Sequence, residues 1–328
     1  MRKTVLGRTG LEISEIALGA GVTGGILIEA DEATRKAALE RAVAAGINWI
    51  DTAALYGNGA SEANIGQHLA ALSPRPHVSS KVRIETDQMS DIAGAIERSL
   101  EQSLKRLRVD RVALFQLHNQ LGAASGGRPT LIPQQVLGRG GVADTFDRLK
   151  AQGLLQACGI TAVGDPKACL EVMESGRFDA AQVYYNAINP SAAWERAPPG
   201  WKAQNFAGVM TACRRQNMGL LNIRVWAGGP LATAKRPDRL AVLTGGTDLE
   251  NELRCAAAVR ATLGDSYGTP AQTALRFVLG NNNIATRVIG ISELPFLDEA
   301  LAAVPMGPLP QDAISKLERL WNSDFRAI

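Results

Sequence analysis

Three apolar runs of the sequence each end in a side chain capable of proton transfer or hydrogen bonding. The run Ile47–Ile50 is followed by Asp51, and five residues further on a phenol, Tyr56, stands just before a glycine turn. Two later runs end in Lys81 and His118. Short apolar runs are typical of buried strands, and the carboxyl ends of parallel strands share one rim. If the three strands are parallel neighbours, the four side chains meet. Taken singly, Asp51 could cap a loop and Tyr56 could pack against the rim.

Together, these four residue types favour the interconversion of a carbonyl and an alcohol. An ammonium within about 4–6 Å of a phenol stabilises the phenolate, so Lys81 should enable Tyr56 to give or take a proton. Asp51 would compensate the partly buried charge of Lys81, which is otherwise costly. His118 could donate a hydrogen bond to the substrate oxygen and fix its orientation.

The segments around these residues, I-D-T-A-x-x-Y-G at 50–57 and Q-L-H at 116–118, resemble the catalytic motifs of the aldo-keto reductases. The similarity extends from residues 6–10 to the C-terminal part. It implies an NAD(P)(H)-dependent oxidoreductase that interconverts an aldehyde, ketone or aldose and an alcohol. Its catalytic tetrad would be Asp51, Tyr56, Lys81 and His118, with Tyr56 as general acid or base. The alternative is a cofactor-binding sensor or auxiliary subunit with incidental turnover, which has no need of Tyr56 and Lys81 together.

The elements that must position the tetrad form eight strand–helix alternations in series. This pattern predicts parallel pairing and a (β/α)8 TIM barrel, an α/β fold, in one domain spanning residues 1–328. Alternation over Lys3–Ser14 predicts an N-terminal β-hairpin, which the resemblance places across the bottom of the barrel. The amphipathic segment Gln311–Trp321 predicts an extra C-terminal helix. An open, doubly wound sheet is the alternative, but it would hold its site on only two loops.

A glycine-rich segment at 19–24 fits the G-x-G-x-x-G pattern of a dinucleotide-binding Rossmann fold. In that fold a helix opens directly on the glycines, whereas helix-start residues here appear only at Asp31 and Glu32. Asp51 also lies later than the acidic residue of that motif, which is expected after about 20 residues. The segment is therefore interpreted as a loop at the top of the barrel, with Gly21 near the cofactor.

Barrels often hold phosphate on the loops after strands seven and eight, which here surround Gly228 and Gly290. Each of these loops, considered alone, is explained equally well as a simple turn. By resemblance, Gln182 binds the nicotinamide carboxamide, Thr161 remains from the usual Ser-Asn pair, and Arg224 or Trp226 stacks on the ring. The predicted cofactor-binding residues are Gly21, Thr161, Gln182, Arg224, Trp226, Gly228, Leu231, Gly290, Ser292, Glu293 and Glu299.

The segment after strand eight also bears on the choice of cofactor. Relatives that prefer NADP usually carry cations where this chain has Ser292 and Phe296. Glu293 adds a negative charge that would repel a 2′-phosphate and could accept hydrogen bonds from a ribose hydroxyl. The nearest cation, Arg287, lies within the strand. The pattern indicates that NAD(H) is accepted at least as well as NADP(H).

Composition narrows the functional classes further. A net charge of +3 is too small to indicate nucleic-acid binding. Four dispersed cysteines and three histidines offer no metal-ligand spacing. With no secretory h-region and no membrane-length apolar run, we expect a cytoplasmic protein whose partner is a small-molecule carbonyl or alcohol. Trp194, Trp201 and Trp226 on predicted rim loops could stack on a sugar or a flat aromatic, or pack the rim.

Overall fold

A computed structural model describes residues 1–123, 128–234, 242 and 244–326 of the chain. It begins with the predicted antiparallel hairpin, β1 (Lys3–Val5) and β2 (Glu12–Ser14). Gly7 in the turn has φ of 51°, and a Cβ there would lie 2.2 Å from the backbone nitrogen of Gly219. Only glycine permits this approach. The turn therefore packs against the amino end of a later strand.

Eight parallel strands close into the predicted barrel, which confirms the (β/α)8 architecture. Each strand pairs with its chain neighbours, and the last pairs with the first. A separate two-stranded parallel pair lies in the loop after the fourth barrel strand. The barrel strands are β3 (Ile16–Gly19), β4 (Trp49–Asp51), β5 (His77–Val82), β6 (Val112–Leu117), β9 (Leu155–Ala162), β10 (Ala180–Tyr184), β11 (Gly219–Ile223) and β12 (Thr286–Gly290), and the small pair is β7 (Gln120–Leu121) with β8 (Thr130–Leu131).

Helices surround the barrel and follow the strands in alternation. The α-helices are α1 (Ile26–Glu29), α2 (Glu32–Ala44), α3 (Ala60–His68), α4 (Ile92–Leu107), α5 (Pro133–Leu137), α6 (Val142–Ala151), α7 (Pro166–Glu174), α8 (Val209–Arg215), α9 (Leu249–Leu263), α10 (Pro270–Leu279), α11 (Leu294–Ala303) and α12 (Gln311–Asn322).

Two helices show how local sequence determines where a helix begins. On α4, the apolar stripe that includes Ile96, Leu100 and Leu107 is buried, and the side chain of Asp91 caps the first turn. On α10, Thr269 and Gln272 form a reciprocal capping box and Pro270 occupies the first turn. Local capping chemistry thus sets where these helices begin.

The glycine-rich loop after β3 differs from the expectation in one respect. A one-turn helix, α1, opens at Gly25, although helical structure was expected only from Asp31. The backbone of this loop lies against the strand-eight loop, since a Cβ on Gly24 would lie 2.3 Å from the Ile291 nitrogen. The glycines therefore serve close packing between two loops of a barrel rather than a Rossmann turn.

No helix in the described part of the chain is both long and apolar enough to cross a membrane.

Candidate active site

The four side chains of the predicted tetrad meet at the carboxyl end of the barrel. Lys81 Nζ, fully buried, donates to Asp51 Oδ2 at 2.6 Å and lies 3.4 Å from the Tyr56 hydroxyl. The Tyr56 and His118 rings are 5.5 Å apart, edge to face. Asp51 and Lys81 belong to adjacent parallel strands, β4 and β5, and Tyr56 stands on the loop between them. The close approach of the ammonium to the phenol is the contact that sequence reasoning predicted.

Asp51 is held by a network that the sequence analysis missed. Its Oδ1 accepts hydrogen bonds from Ser79 Oγ and from Gln182 Nε2, both at 2.7 Å. The Trp49 indole nitrogen in turn donates to Ser79 Oγ at 2.9 Å, which directs the serine hydroxyl towards the carboxylate. Because each donor comes from a barrel strand, the orientation of Asp51 is set by the barrel interior.

Electrostatics keep Lys81 charged. Burial alone would lower the pKa of the ammonium, but Asp51 and Tyr56 outweigh it, and the pKa of Lys81 lies above its ordinary value. The Lys81 ammonium also donates to the Thr52 carbonyl at 2.8 Å. The charged ammonium of Lys81 therefore stays 3.4 Å from the Tyr56 hydroxyl.

His118 is uncharged near neutral pH. Burial, with smaller contributions from Lys81 and Arg83, lowers its pKa from 6.5 to about 3. Within the described residues, its Nδ1 is buried and has no hydrogen-bond partner. A neutral imidazole retains one N–H donor, so His118 can hydrogen-bond a substrate oxygen without adding a second cation beside Lys81.

Thr161 and Gln182 lie side by side on β9 and β10, in register with each other. Gln182, predicted to bind the carboxamide, donates a hydrogen bond from its amide Nε2–H to Asp51 Oδ1. Thr161 Oγ1 is buried and lacks a partner in the part of the chain that the structure describes. An unpaired buried hydroxyl is costly, so a carboxamide placed beside Thr161 fits the chemistry of this position.

The loop after β11 carries Arg224 and Trp226, the two residues predicted to stack on nicotinamide, and only Arg224 lies near the tetrad. Arg224 has a left-handed backbone, and its carbonyl accepts from Asn186 Nδ2 at 2.9 Å. The Arg224 guanidinium is close enough to the Tyr56 side chain to interact with it electrostatically. The Trp226 indole N–H donates instead to the Ala271 carbonyl on α10, at 2.9 Å.

Two further residues of this loop were predicted to contact phosphate. A Cβ on Gly228 would lie 2.6 Å from Arg224 Nη1, so the glycine makes room for the guanidinium. Leu231 is buried in the core. Gly21, on the loop after β3, lies against Tyr56, and a Cβ there would be 3.4 Å from the ring. Only backbone groups of Gly228 and Leu231 are therefore suited to phosphate.

The loop after β12 offers an exposed site for an anionic group. Gly290, Ser292 and Glu293 are exposed. Glu293 precedes α11, and its side chain does not cap the helix, so the first-turn N–H groups remain unbound by it. Glu299, six residues further on, accepts a hydrogen bond from the Thr269 hydroxyl at 2.6 Å, which ties it to the start of α10.

Arg287 points away from the cofactor region. It is fully buried, and its guanidinium donates to the carbonyls of Val278, Leu279 and Asn281 at the end of α10, the last at 2.7 Å. Burial lowers the pKa of Arg287 to about 10. The residue caps a helix C-terminus, so the nearest cation identified in the sequence is not available to a 2′-phosphate.

The structure also places a carboxylate near the site that no sequence signal indicated. Glu252, in the first turn of α9, is buried, and its pKa rises from 4.5 to about 7 because of burial, offset in part by Arg224. In the sequence, Glu252 is one of several polar residues at the start of a helix, a position where glutamate is common. Only its packing distinguishes it.

The barrel, the buried Lys81–Asp51 pair and the adjacent Tyr56 define the class to which this chain belongs. The model of the aldo/keto reductase family matches residues 15–322. The chain is therefore a member of the aldo/keto reductase family and an oxidoreductase.

Three similar proteins give this membership more detail. L-galactose dehydrogenase of Arabidopsis thaliana is 26% identical over 326 residues, which cover 96% of this chain and 92% of that protein. The holo form of an aldo-keto reductase from Bacillus halodurans superposes with a TM-score of 0.73 at 20% identity, covering 98% and 96% of the two chains. An aldo-keto reductase from Klebsiella pneumoniae in complex with NADPH gives a TM-score of 0.70, also at 20% identity and the same coverage.

Proposed function

We propose that the chain is an NAD(P)(H)-dependent enzyme that interconverts a carbonyl compound and the corresponding alcohol, with Tyr56 as general acid and base. The observation that carries the proposal is the buried Lys81 ammonium, 2.6 Å from Asp51 Oδ2 and 3.4 Å from the Tyr56 hydroxyl. A protein that only binds a dinucleotide gains nothing from this costly pair.

Each member of the tetrad has one task in the proposed reaction. In reduction, Tyr56 protonates the substrate oxygen and Lys81 stabilises the phenolate that remains; in oxidation the proton returns to Tyr56. Asp51 holds the lysine, and neutral His118 donates a hydrogen bond to the reacting oxygen. When bound, nicotinamide supplies or accepts the hydride. Thr161 and Arg224 are suited to its carboxamide and ring, and Gly290 with Glu293 to the dinucleotide end.

The test is the Tyr56→Phe variant, assayed with a panel of aldehydes, ketones, aldoses and alcohols and with both cofactors. Turnover should fall by about 10²–10⁴, the usual contribution of a positioned proton donor, while dinucleotide binding is retained. Tyr267→Phe is the matched control, because its hydroxyl bonds to Asp312 on the outer helix α12. Near-normal turnover by Tyr56→Phe would remove Tyr56 from the mechanism. Dinucleotide binding without turnover of any panel compound by the wild type would favour a sensor or auxiliary subunit.

For the cofactor, we propose that NAD(H) is used at least as well as NADP(H). Ser292 and Glu293 are exposed on the strand-eight loop, Phe296 is exposed beside it, and Arg287 is bound to α10. A cation that donates a hydrogen bond to a 2′-phosphate contributes about 1.5–3 kcal/mol, and none of these residues supplies such a cation.

The ratio of kcat/KM for the two cofactors tests this choice. A preference of tenfold or more for NADP(H), about 1.4 kcal/mol, would contradict it. Ser292→Arg should move the ratio towards NADP(H) by roughly tenfold or more, because it introduces a cation that can bind the phosphate. Ser292→Gln, which adds bulk without charge, is the control.

A further inference from the structure

The loop that carries Tyr56 contains the single Asn-Gly pair of the chain, Asn58-Gly59. Three consecutive residues of this loop have left-handed backbones, with φ of 59° at Gly57, 51° at Asn58 and 89° at Gly59. Residues other than glycine rarely adopt this region, and asparagine is among those that adopt it most readily. The path of the loop therefore favours glycine and asparagine at these three positions.

The surroundings of position 59 also select glycine. A Cβ on Gly59 would lie 2.8 Å from Cδ of Arg106. The Arg106 guanidinium is held in place, because it pairs with the buried Glu62 carboxylate at 2.7 Å. A side chain at position 59 would therefore collide with a tethered group. The turn that brings Tyr56 to the tetrad thus places a glycine directly after Asn58.

The peptide group between Asn58 and Gly59 is free of hydrogen bonds within the described residues. The Asn58 carbonyl accepts none and the Gly59 N–H donates none. By contrast, the next amide, that of Ala60, donates to the Gly57 carbonyl at 3.1 Å. The Asn58 side chain is exposed and forms no hydrogen bond to any described residue. This peptide group can therefore rotate without breaking a hydrogen bond, and glycine imposes no steric barrier to the rotation.

An asparagine side chain beside an unhindered backbone amide can cyclise. The Gly59 nitrogen, after loss of its proton, attacks Cγ of Asn58; the new C–N bond forms, the Cγ–Nδ2 bond breaks, and the side-chain nitrogen takes up a proton and leaves as ammonia. Water then opens the cyclic imide at one of its two carbonyls. Opening at the side-chain carbonyl gives aspartate with the original main chain. Opening at the main-chain carbonyl gives isoaspartate, in which the main chain runs through the former side chain.

We propose that Asn58 is a site of spontaneous deamidation, which forms aspartate and isoaspartate at position 58, and that the isoaspartate form is inactive. The modification itself follows from the loop alone. Its effect on turnover rests on the proposed function, because it acts through the position of Tyr56.

Isoaspartate should displace Tyr56, because the loop is closed on this residue. The Ser61 N–H, in the first turn of α3, donates to the Tyr56 carbonyl at 3.2 Å, and the Tyr56 N–H donates to the Ala53 carbonyl at 3.0 Å. Isoaspartate lengthens the main chain between Tyr56 and Ser61 by one C–C bond, about 1.5 Å. A misplacement of about 1 Å in an active site can lower the rate by about 10², and we expect a loss of at least this size.

Aspartate at position 58 should leave the site intact. It keeps the length of the main chain, and its negative charge lies just before the N-terminus of α3, where the helix dipole favours an anion. The two products of one reaction should therefore differ in activity.

Ageing of the purified protein at pH 8 and at pH 5 tests the modification, with Asn217 as the internal control. Asn217 is also exposed and has φ of 48°, but Met218 follows it, and the Met218 N–H donates to the Cys213 carbonyl at 2.8 Å. Peptide mass spectrometry at pH 8 should show the Asn58 amide lost at least about tenfold faster than that of Asn217, a barrier difference of about 1.4 kcal/mol. The loss should be slower at pH 5, because the nucleophile is the deprotonated amide. Equal rates at Asn58 and Asn217 overturn the proposal.

Methylation by an isoaspartate-specific protein carboxyl methyltransferase measures the inactive product. The fraction of turnover lost during ageing should equal the isoaspartate fraction. Asn58→Asp reproduces the other product and should keep the turnover of the wild type. Asn58→Gly fits the left-handed backbone and cannot cyclise, so it should keep its turnover throughout the incubation. If Asn58→Gly loses turnover as fast as the wild type, the inactivation has another cause and the proposed effect of isoaspartate is wrong.

The same measurements separate this proposal from the proposed function. If the wild type turns over no compound of the panel, the oxidoreductase proposal fails, while mass spectrometry and methylation still decide whether Asn58 is modified. If the wild type turns over a panel compound but the Asn58 amide persists as long as that of Asn217, the modification site is wrong and the oxidoreductase proposal stands.

Discussion

Replacing Glu252 by glutamine should stabilise the free protein at alkaline pH and change it far less under acidic conditions. Burial raises the pKa of this carboxyl from 4.5 to about 7, and Arg224 offsets only part of the shift. In the unfolded chain the group ionises above its ordinary pKa, whereas in the folded protein it holds its proton up to about pH 7. Folding stability is therefore lost as the pH rises between these two values, and the loss is complete above pH 7.

The magnitude follows from the size of the shift. The difference between about 7 and 4.5 is about 2.5 pKa units, and each unit corresponds to 1.36 kcal/mol, so the ionised carboxylate costs about 3 kcal/mol above pH 7. At pH 5 the same linkage leaves a cost of about 1 kcal/mol. Any cost of burying the glutamine amide is equal at both pH values and cancels in the comparison.

Urea denaturation at pH 5 and pH 8 measures the effect. The free energy of unfolding of Glu252→Gln, minus that of the wild type, should be larger at pH 8 than at pH 5 by about 2–3 kcal/mol. Glu318→Gln controls for the loss of one negative charge. A difference that does not change between the two pH values would refute the reasoning that burial raises the pKa of Glu252.

Lys81→Met should lower turnover and cost about 3–5 kcal/mol of folding free energy, because buried Asp51 loses its cation. In urea denaturation, the double variant with Asp51→Asn should recover part of this loss; equal stabilities of the single and double variants would contradict the argument. Arg287→Met should lower Tm through the lost caps of α10 while leaving the NADH to NADPH ratio of kcat/KM unchanged; a shifted ratio would place this guanidinium at the cofactor. Gly24→Ala should weaken dinucleotide binding in fluorescence titrations, since its Cβ would lie 2.3 Å from a backbone nitrogen of the strand-eight loop. Gly245→Ala, with no described atom within 4 Å, should bind normally.

Local sequence signals were sufficient for the barrel and for the meeting of the tetrad. Capping residues and apolar spacing act within one segment, so the start of a helix such as α10 follows from local sequence. The sequence predicts that Asp51, Lys81 and His118 lie close together, because each stands where a parallel strand ends. Parallel strands of a closed barrel end at the same rim. The same prediction includes Tyr56, because it lies in the segment that joins the strands ending in Asp51 and Lys81.

Only the tertiary structure decided which partner each side chain has. Gln182 binds Asp51, Arg287 caps α10 and the Trp226 indole reaches Ala271, and in each case the two groups come from separate elements. Glu252 carries no mark in the sequence, since a glutamate in the first turn of a helix is ordinarily solvated. Its burial comes from the packing of the folded protein, in which α9 lies against α12. Strand order and helix ends depend on local periodicity, whereas the direction of a side chain depends on neighbours that are distant in the sequence and adjacent only in the folded barrel.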